Sequence, residues 1–158
     1  MYNPNDCYFF HDVDTIPESG ILTYCCSPNS VIHYASARST REFTMGYEGY
    51  FGGVVAATAS QFRRANGFSN GFWGWGAEDD EFRERVLASG QRISRIPLAE
   101  GRYLVFDHSR DKSNYNERLK KVKEVSKVWK QDGLNSAKYS VDAILDKTYY
   151  TEIQVRFY

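Results

Sequence analysis

One stretch of this chain is more informative than any other: Gly71-Phe72-Trp73-Gly74-Trp75-Gly76-Ala77-Glu78-Asp79-Asp80-Glu81-Phe82. Glycines beside large indoles indicate a backbone that bends sharply and holds flat apolar surfaces next to the bend. The four acids that follow repel one another, so a chain rarely gathers them for stability alone. Indoles stack on the C–H face of a sugar and carboxylates accept its hydroxyl protons. The stretch therefore predicts a carbohydrate site.

A second explanation of the same acids is purely structural. Glu78, Asp79 and Asp80 fall where a helix would begin, and carboxylates in a first turn interact favourably with the helix dipole. The acids alone favour this structural explanation. The two neighbouring indoles favour the carbohydrate site.

The composition predicts one compact domain that spans residues 1–158. Lys plus Arg and Asp plus Glu both number 20, so no long-range field favours nucleic acid or an anionic membrane. No apolar run approaches the ~20 residues that cross a bilayer. The first six residues lack the basic and apolar segments of a signal peptide.

Three cysteines, Cys7, Cys25 and Cys26, are an odd number without metal-like spacing. They favour reduced, buried thiols over a disulfide framework. A single bridge from Cys7 to either Cys25 or Cys26 stays open as the alternative.

Hydrophobic periodicity predicts an α/β chain without repeats or linkers. Helices are predicted from Ser60, as the cap, to residue 66, from the acid cluster to just before Gly90, and over 115–131. Residues 36–49 are predicted to be a loop. The last strand alternates apolar and polar residues, which indicates one buried face. Strands are predicted at 7–10, 31–35, 51–58, 93–96, 103–106, 139–145 and 151–158.

Two further groups of polar residues follow predicted strands. Asp12 and Asp14 come directly after the first strand, where paired carboxylates suit a hard divalent cation that bridges to phosphate oxygens. His108 follows another strand, and an imidazole ligand would shift such a site from Mg²⁺ towards Mn²⁺. A solvated surface turn and a hydrogen-bonded structural histidine are the commoner explanations. The sequence predicts that these groups and the acid-indole loop open on one edge of a single sheet.

In order along the chain, six blocks resemble the C-terminal half of the catalytic domain of the β-1,4-galactosyltransferases, glycosyltransferase family 7. The resemblance covers about residues 6–158, and the Trp-Gly-Trp-Gly-x-Glu-Asp-Asp block is highly specific. The blocks are Phe10-His11-Asp12-Val13-Asp14, Tyr50-Phe51-Gly52-Gly53-Val54, Asn66-Gly67-Phe68-Ser69-Asn70, residues 72–82, His108-Ser109-Arg110-Asp111-Lys112 and Asp132-Gly133-Leu134-Asn135-Ser136.

The resemblance implies a GT-A type α/β fold, a mixed sheet flanked by helices, with the N-terminal part of the family's domain missing. It implies a UDP-galactose donor, Mn²⁺ or Mg²⁺ as cofactor, and transfer to a hydroxyl of a carbohydrate acceptor with inversion. Asp79 matches the catalytic base, with Glu78, Asp80 and Trp73 on the acceptor side. The donor side matches Asp12, Tyr50, Gly52, Gly53 and Trp75, and the metal ligands match Asp14 and His108.

Two positions depart from the family pattern. Val105 stands where many members carry a ligating Met, and Arg110 stands where some carry a second ligating His. The resemblance therefore implies one protein ligand fewer and weaker metal affinity.

Alternative functions follow from the part of the domain that the resemblance does not cover. Without that donor-side part, the chain would be a catalytically silent carbohydrate-binding or interaction module. A homodimer or a partner chain would complete the sheet at an exposed edge. The compartment stays open between the Golgi lumen, for a truncated eukaryotic member, and the cytoplasm, for a bacterial one.

Overall fold

A computed structural model describes residues 3–20, 22–106 and 113–158. Their regular elements are nine strands and three α-helices, and one turn of 3-10 helix covers Ser39–Arg41. The helices are α1 (Ala59–Arg64), α2 (Glu78–Ala88) and α3 (Tyr115–Val128). The strands are β1 (Cys7–His11), β2 (Thr15–Pro17), β3 (Val31–His33), β4 (Ala37–Arg38), β5 (Val54–Thr58), β6 (Ile93–Arg95), β7 (Arg102–Val105), β8 (Tyr139–Asp146) and β9 (Thr151–Phe157).

The strands form three sheets in this part of the chain, whereas the sequence predicted a single one. A mixed sheet has the order β1-β5-β3-β6, in which β3 and β6 are parallel and the other pairs antiparallel. A second sheet has the order β2-β7-β4, and β8 and β9 form a separate hairpin. The chain divides because β2 and β7 pair with each other just after the Asp12–Asp14 turn instead of extending the first sheet.

The core lies on both faces of the mixed sheet because side chains alternate along β5. Val55 and Ala57 pack on one face with Phe82 and Val86 of α2. Val54 and Ala56 pack on the other face with Tyr103 of the second sheet. The predicted strand 51–58 is therefore confirmed from Val54 onward, and it is buried on both faces.

Helix α1 begins earlier than predicted. Ser60 lies inside the helix, and the cap is Thr58, whose hydroxyl accepts a hydrogen bond from the Gln61 amide at 3.2 Å. The Gln61 side chain in turn accepts from the Thr58 amide at 2.8 Å, which completes a capping box. The glutamine three residues after Thr58 is the signal that distinguishes the two candidate caps.

Two other expectations are corrected. Cys7 and Cys26 form a disulfide with a Cα–Cα distance of 5.6 Å, and Cys25 is an exposed thiol. The bridge forms because the segment that contains Cys26 packs beside β1, a pairing that sequence spacing does not reveal. The region 36–49, predicted to be a loop, contains β4 and the 3-10 turn.

The prediction of one buried face on the last strand is wrong. Ile153, Val155 and Phe157 are all exposed, although they alternate with polar residues as predicted. Within the described residues β9 pairs with β8 alone, and the edge-on contact of Trp73 with Phe157 leaves these side chains largely exposed. None of the described helices is long and apolar enough to cross a membrane.

Candidate active site

A cavity of about 600 Å³ opens where the mixed sheet, the segment before β5 and the start of α2 meet. This size is typical of small-molecule sites. Its lining contains most of the predicted site residues and several that were not predicted. The lining residues are Asp12, Arg38, Thr40, Arg41, Tyr47, Tyr50, Gly53, Trp75, Gly76, Ala77, Glu78, Asp79, Asp80 and Tyr115.

The acids reach this cavity because α2 begins at Glu78. Ala77, the residue before the helix, has a left-handed backbone (φ 76°) and lacks a capping side chain. The first turn then contains Glu78, Asp79, Asp80 and Glu81, so the structural explanation of the acids is also satisfied. Their side chains diverge, since Glu81 pairs with buried Arg85 at 2.7 Å while the other three line the cavity.

Asp79 has the most perturbed carboxyl group of the cluster. Burial, together with repulsion from Asp80 and Glu78, raises its pKa to about 7. The Asp80 amide donates to Asp79 Oδ1 at 2.8 Å, which opposes these two effects only in part. A carboxyl group with a pKa near neutrality can take up a proton at the pH at which enzymes work.

Asp80 is held by a tyrosine that the sequence did not single out. The Tyr47 hydroxyl donates to Asp80 Oδ1 at 2.8 Å, and the Tyr47 ring packs edge-on against Tyr50. Burial raises the pKa of the Asp80 carboxyl while the Tyr47 hydrogen bond lowers it. Tyr47 lies in the region predicted to be a loop, and its contact with Asp80 joins residues 33 positions apart.

Tyr50 forms the floor of the cavity and is almost fully buried. The Arg38 guanidinium lies over its ring, 3.9 Å from the centroid, in a cation–π contact. Burial raises the pKa of the Tyr50 hydroxyl, so the phenol stays neutral. Arg38 lies in the region predicted to be a loop, where no sequence pattern marked it.

The two glycines after Phe51 allow close approach at the cavity wall. A Cβ on Gly52 would lie 2.2 Å from Asp79 Oδ2, so only glycine leaves room for that carboxylate. Gly53 has a left-handed backbone (φ +84°), and a Cβ there would lie 2.8 Å from Ala35. Its carbonyl accepts a hydrogen bond from the Asp12 amide at 2.8 Å. This bond joins residues 50–53, the Tyr50–Gly53 bend, to the turn at Asp12 and Asp14 that is predicted to bind a cation.

The two indoles of the predicted sugar site separate. Trp75 lines the cavity and stacks on Tyr115 of α3, with ring centroids 6.1 Å apart. Trp73 is 70% exposed and packs edge-on against Phe157 in a neighbouring groove of about 290 Å³. Arg118 of α3 donates to the carbonyls of both tryptophans, at 2.7 Å to Trp73 and 2.5 Å to Trp75.

The predicted metal ligands are described only in part. Asp14 is half-buried, and its carboxylate accepts from the Thr15 hydroxyl at 3.3 Å. His108 lies outside the described residues. The Phe106 amide donates to the Asp14 carbonyl at 2.9 Å, so β7 ends beside Asp14. Within the described ranges, no group of three or more His, Cys, Asp or Glu side chains could hold a metal ion.

Asp12 nevertheless has the chemistry of a cation ligand. Burial raises the pKa of its carboxyl group, and repulsion from Asp14 and Glu78 raises it further. A divalent cation bound by Asp12 and Asp14 would offset the repulsion between their two carboxylates, and oxygen ligands suit Mg²⁺ and Mn²⁺. Asp12 and Asp14 therefore fit the predicted metal.

Comparison with known proteins finds similarity to galactosyltransferases. A family model described as the N-terminal domain of galactosyltransferase matches residues 32–109. Human β-1,4-galactosyltransferase 4 is 43% identical over 156 residues, which are 97% of this chain and 45% of that protein. Human β-1,4-galactosyltransferase 3 is 40% identical over 150 residues, 94% of this chain and 38% of that protein. The chain thus spans less than half the length of these relatives.

The family model's description names an N-terminal domain, whereas the motifs pointed to the C-terminal half of the catalytic domain. The position of the match within the longer relatives stays a prediction.

Among solved structures, the catalytic domain of Drosophila β1,4-galactosyltransferase 7 in complex with xylobiose has a TM-score of 0.71 and 22% identity. The alignment covers 96% of this chain and 67% of that one. A mutant of the same enzyme in complex with manganese, UDP-Gal and xylobiose has a TM-score of 0.69.

These likenesses confirm the GT-A type α/β fold that the sequence predicted. The alignment to human β-1,4-galactosyltransferase 4 covers almost the whole chain, so it spans the stretch from Gly71 to Phe82. Over almost its whole length the chain is therefore similar to the β-1,4-galactosyltransferases.

Proposed function

We propose that this chain is the catalytic region of a metal-dependent glycosyltransferase that moves galactose from UDP-galactose to a hydroxyl of an acceptor sugar, with inversion. The identity to the human galactosyltransferases supports the reaction class. The Drosophila neighbour that was solved with manganese, UDP-Gal and xylobiose supports the donor, the metal and a sugar acceptor. The observation that carries the proposal is the desolvated Asp79 carboxyl group at the wall of the 600 Å³ cavity.

Asp79 is the proposed general base. With a pKa of about 7, it is partly deprotonated near neutral pH and still basic enough to accept the proton of an acceptor hydroxyl. As the acceptor hydroxyl loses its proton to Asp79, its oxygen attacks the anomeric carbon of the donor. The bond from that carbon to the diphosphate oxygen breaks on the opposite face, and UDP leaves. Inversion follows from this single displacement.

The acceptor side of the cavity is formed by carboxylates at the start of α2. Glu78 and Asp80 flank the base and offer acceptor oxygens to sugar hydroxyls, and Tyr47 fixes the orientation of Asp80. Trp73 lies outside the cavity lining, so its role in acceptor binding stays a prediction.

The donor side is formed by the Tyr50–Gly53 bend and Trp75. Gly53 lets the backbone approach the donor sugar closely, and Tyr50 stands where the resemblance implies selection of galactose over a bulkier N-acetylated sugar. The Trp75 indole at the cavity mouth would exclude water that otherwise hydrolyses the donor. Asp12 closes this side through its backbone bond to Gly53.

A divalent cation, when bound, would neutralise negative charge on the UDP leaving group. Asp12 and Asp14 are the described residues whose chemistry fits it, and His108 is the third proposed ligand. These assignments rest on carboxylate repulsion at Asp12 and on the family resemblance.

Calorimetric titration of UDP into the purified chain, with and without Mn²⁺, tests the donor site. We expect binding that needs the metal and is lost in Asp14→Asn. Asp6→Asn, at an exposed carboxylate away from the cavity, should bind like the wild type.

Incubation with UDP-galactose and sugar acceptors, with product stereochemistry read by NMR, tests the transfer itself. A β-linked product from the α-linked donor is the expected result. The proposal would be overturned if the folded wild-type chain bound acceptor sugars but neither UDP nor UDP-galactose at millimolar concentration. The chain would then be a catalytically silent carbohydrate-binding module.

A further inference from the structure

A buried histidine lies directly behind the Tyr50–Gly53 bend. His33 ends β3 in the middle of the mixed sheet and is fully buried. Its Nε2 is 2.8 Å from the Gly52 carbonyl oxygen, and its Nδ1 is hydrogen-bonded to the Arg95 guanidinium. Because arginine only donates, Nδ1 is the acceptor and Nε2 carries the hydrogen that is donated to Gly52.

This tautomer is fixed because the ring stays neutral. Burial lowers the pKa of His33 to about 3, and the positive charges of Arg95 and Arg38 act in the same direction although the Gly52 bond opposes them. A neutral ring with one donor and one acceptor has both nitrogens satisfied in this position.

Arg95 supplies a second contact to the same bend. Its guanidinium donates to the Tyr50 carbonyl at 2.7 Å in addition to its bond to His33. The His33 ring also packs edge-on against the Tyr50 ring, with centroids 5.1 Å apart. Two carbonyls of the bend, those of Tyr50 and Gly52, are thus held from behind by one His–Arg pair.

The bend is in contact with the proposed base. A Cβ on Gly52 would lie 2.2 Å from Asp79 Oδ2, so the Gly52 backbone is the wall against which that carboxylate lies. Movement of the bend by a fraction of an ångström would change the space, the desolvation and the hydration of Asp79. The Tyr50 ring would move with it.

We infer that His33 and Arg95 are positioning residues of the transfer site, which hold the Tyr50–Gly53 bend so that the donor wall and the Asp79 carboxylate face one cavity. This inference rests on the proposed function and deepens it. A residue needed only for packing would be served by an apolar side chain, as at Val31 and Ile32 on the same strand. The hydrogen bonds to two carbonyls of the bend require the imidazole and guanidinium instead.

The test compares His33→Phe, which keeps a ring without nitrogens, with His33→Gln, whose amide can donate to Gly52 and accept from Arg95. Arg95→Met is the second variant, since it leaves the His33 ring in place. Tyr34→Phe is the matched control because it removes a hydrogen bond of another buried side chain, from the Tyr34 hydroxyl to the Cys25 carbonyl, that does not involve the Tyr50–Gly53 bend.

The first readout is the titration of Asp79 in the full chain, followed by NMR of ¹³C-labelled aspartate carboxyls. The groups that face Asp79 and set its titration are Glu78 and Asp80 on α2, Asp12 after β1, and Tyr47 and Tyr50. We expect His33→Phe and Arg95→Met to move this titration towards lower pH as water enters. His33→Gln and Tyr34→Phe should leave it unchanged.

The second readout is the steady-state kinetics of galactose transfer, in which the change in kcat is compared with the change in KM for the acceptor. A displaced base should lower kcat on the order of tenfold to a hundredfold in His33→Phe, with a smaller change in KM for the acceptor. His33→Gln should recover most of the loss.

The inference would be overturned by a folded His33→Phe chain in which Asp79 titrates, and galactose is transferred, as in the wild type. Should His33→Phe not fold, the same result in folded Arg95→Met would overturn it. If the wild-type chain transfers no sugar, the proposed function fails, while the Asp79 titration still decides whether the His–Arg pair positions the carboxylate.

Discussion

At the scale of single residues, two opposed effects act on Asp79. The N-terminus of α2 favours a negative charge, which would lower the pKa of any carboxyl group there. Burial and the neighbouring acids favour the protonated form, and the pKa of about 7 shows that they dominate. A charge that is costly to form in the folded chain is typical of a functional group rather than a stabilising one.

Asp79→Asn should therefore stabilise the fold at alkaline pH. Because the folded pKa (about 7) lies above the ordinary aspartate value of 3.8, the folded chain binds the proton more tightly than the unfolded chain. The wild type loses stability as pH rises from about 4 to 7, by up to about 4 kcal/mol, since each tenfold difference in proton affinity corresponds to about 1.36 kcal/mol. Thermal unfolding at pH 4 and pH 8 should show a higher Tm for the variant at pH 8 only. Equal gains at both pH values would contradict this.

Gly52→Ala tests the close contact at the base. The added methyl group would overlap Asp79 Oδ2, so the carboxylate must move and kcat should fall by on the order of a hundredfold. Gly20→Ala is the control, since a Cβ at Gly20 meets no atom within 4 Å. Steady-state kinetics on both variants, with circular dichroism to confirm folding, make the comparison. Wild-type turnover by Gly52→Ala would show that Asp79 is not confined by the bend.

Sequence patterns identify some of these residues and miss others for physical reasons. Asp12 and Asp79 are visible because each follows directly on a recognisable strand or glycine-rich bend. Arg38, Tyr47 and His33 act through contacts between segments that are distant along the chain, and no local periodicity records such contacts.

At the scale of elements, the loop between α1 and α2 is held by α3. Arg118 is buried and bonds to the carbonyls of Trp73 and Trp75, so one side chain fixes the backbone between the two indoles. Trp75 also stacks on Tyr115 of the same helix. Helix α3 thus holds the backbone at both tryptophans and packs against the Trp75 ring, whereas the Trp73 ring packs against Phe157 of β9.

Arg118→Met should release this loop without removing a residue that lines the cavity. We expect KM for UDP-galactose to rise several-fold, because ordering the Trp75 loop would then oppose binding. Hydrogen exchange over residues 72–77 should become faster. Lys120→Met, at an exposed position on the same helix, is the control. Unchanged exchange in Arg118→Met would show that the loop is held by other contacts.

Element boundaries also show where sequence patterns are insufficient. Helix α2 begins at the predicted acids, directly after the glycine-rich stretch that ends at Ala77. The strand β9 alternates as predicted, yet its apolar side chains are exposed, because alternation records how a strand could be buried and not what covers it.

At the scale of the whole molecule, one covalent link joins the start of β1 to the segment before β3. The Cys7–Cys26 bridge closes a loop with a sequence separation of 19. A loop of this length is expected to stabilise the fold by about 3 kcal/mol, mainly by restricting the unfolded chain. The stability of the edge strand β1, which leads into Asp12, therefore depends on oxidation.

Cys7→Ser should lower the Tm by roughly 6–12 °C, as about 3 kcal/mol corresponds to in a chain of this size. Cys25→Ser is the matched control and should leave the Tm unchanged, because Cys25 is outside the bridge. Differential scanning calorimetry under non-reducing conditions makes the measurement. A similar loss in both variants would contradict the assigned pairing.

The GT-A type α/β fold was implied by the family resemblance of six sequence blocks, and the likeness to the Drosophila enzyme confirms it. The division into three sheets did not follow, because pairing between β2 and β7 depends on residues nearly ninety positions apart. Association through the edges of the sheet, as a homodimer or with a partner chain, stays a prediction.

The pH dependence of galactose transfer tests the central claim most directly. If Asp79 is the base, log(kcat/KM) should rise with a slope of one up to an apparent pKa of about 7, and Asp79→Asn should lose activity by on the order of 10²–10⁴ with that limb absent. A wild-type rate that is independent of pH from 5 to 9, or an Asp79→Asn variant that keeps both the rate and the limb, would contradict the account.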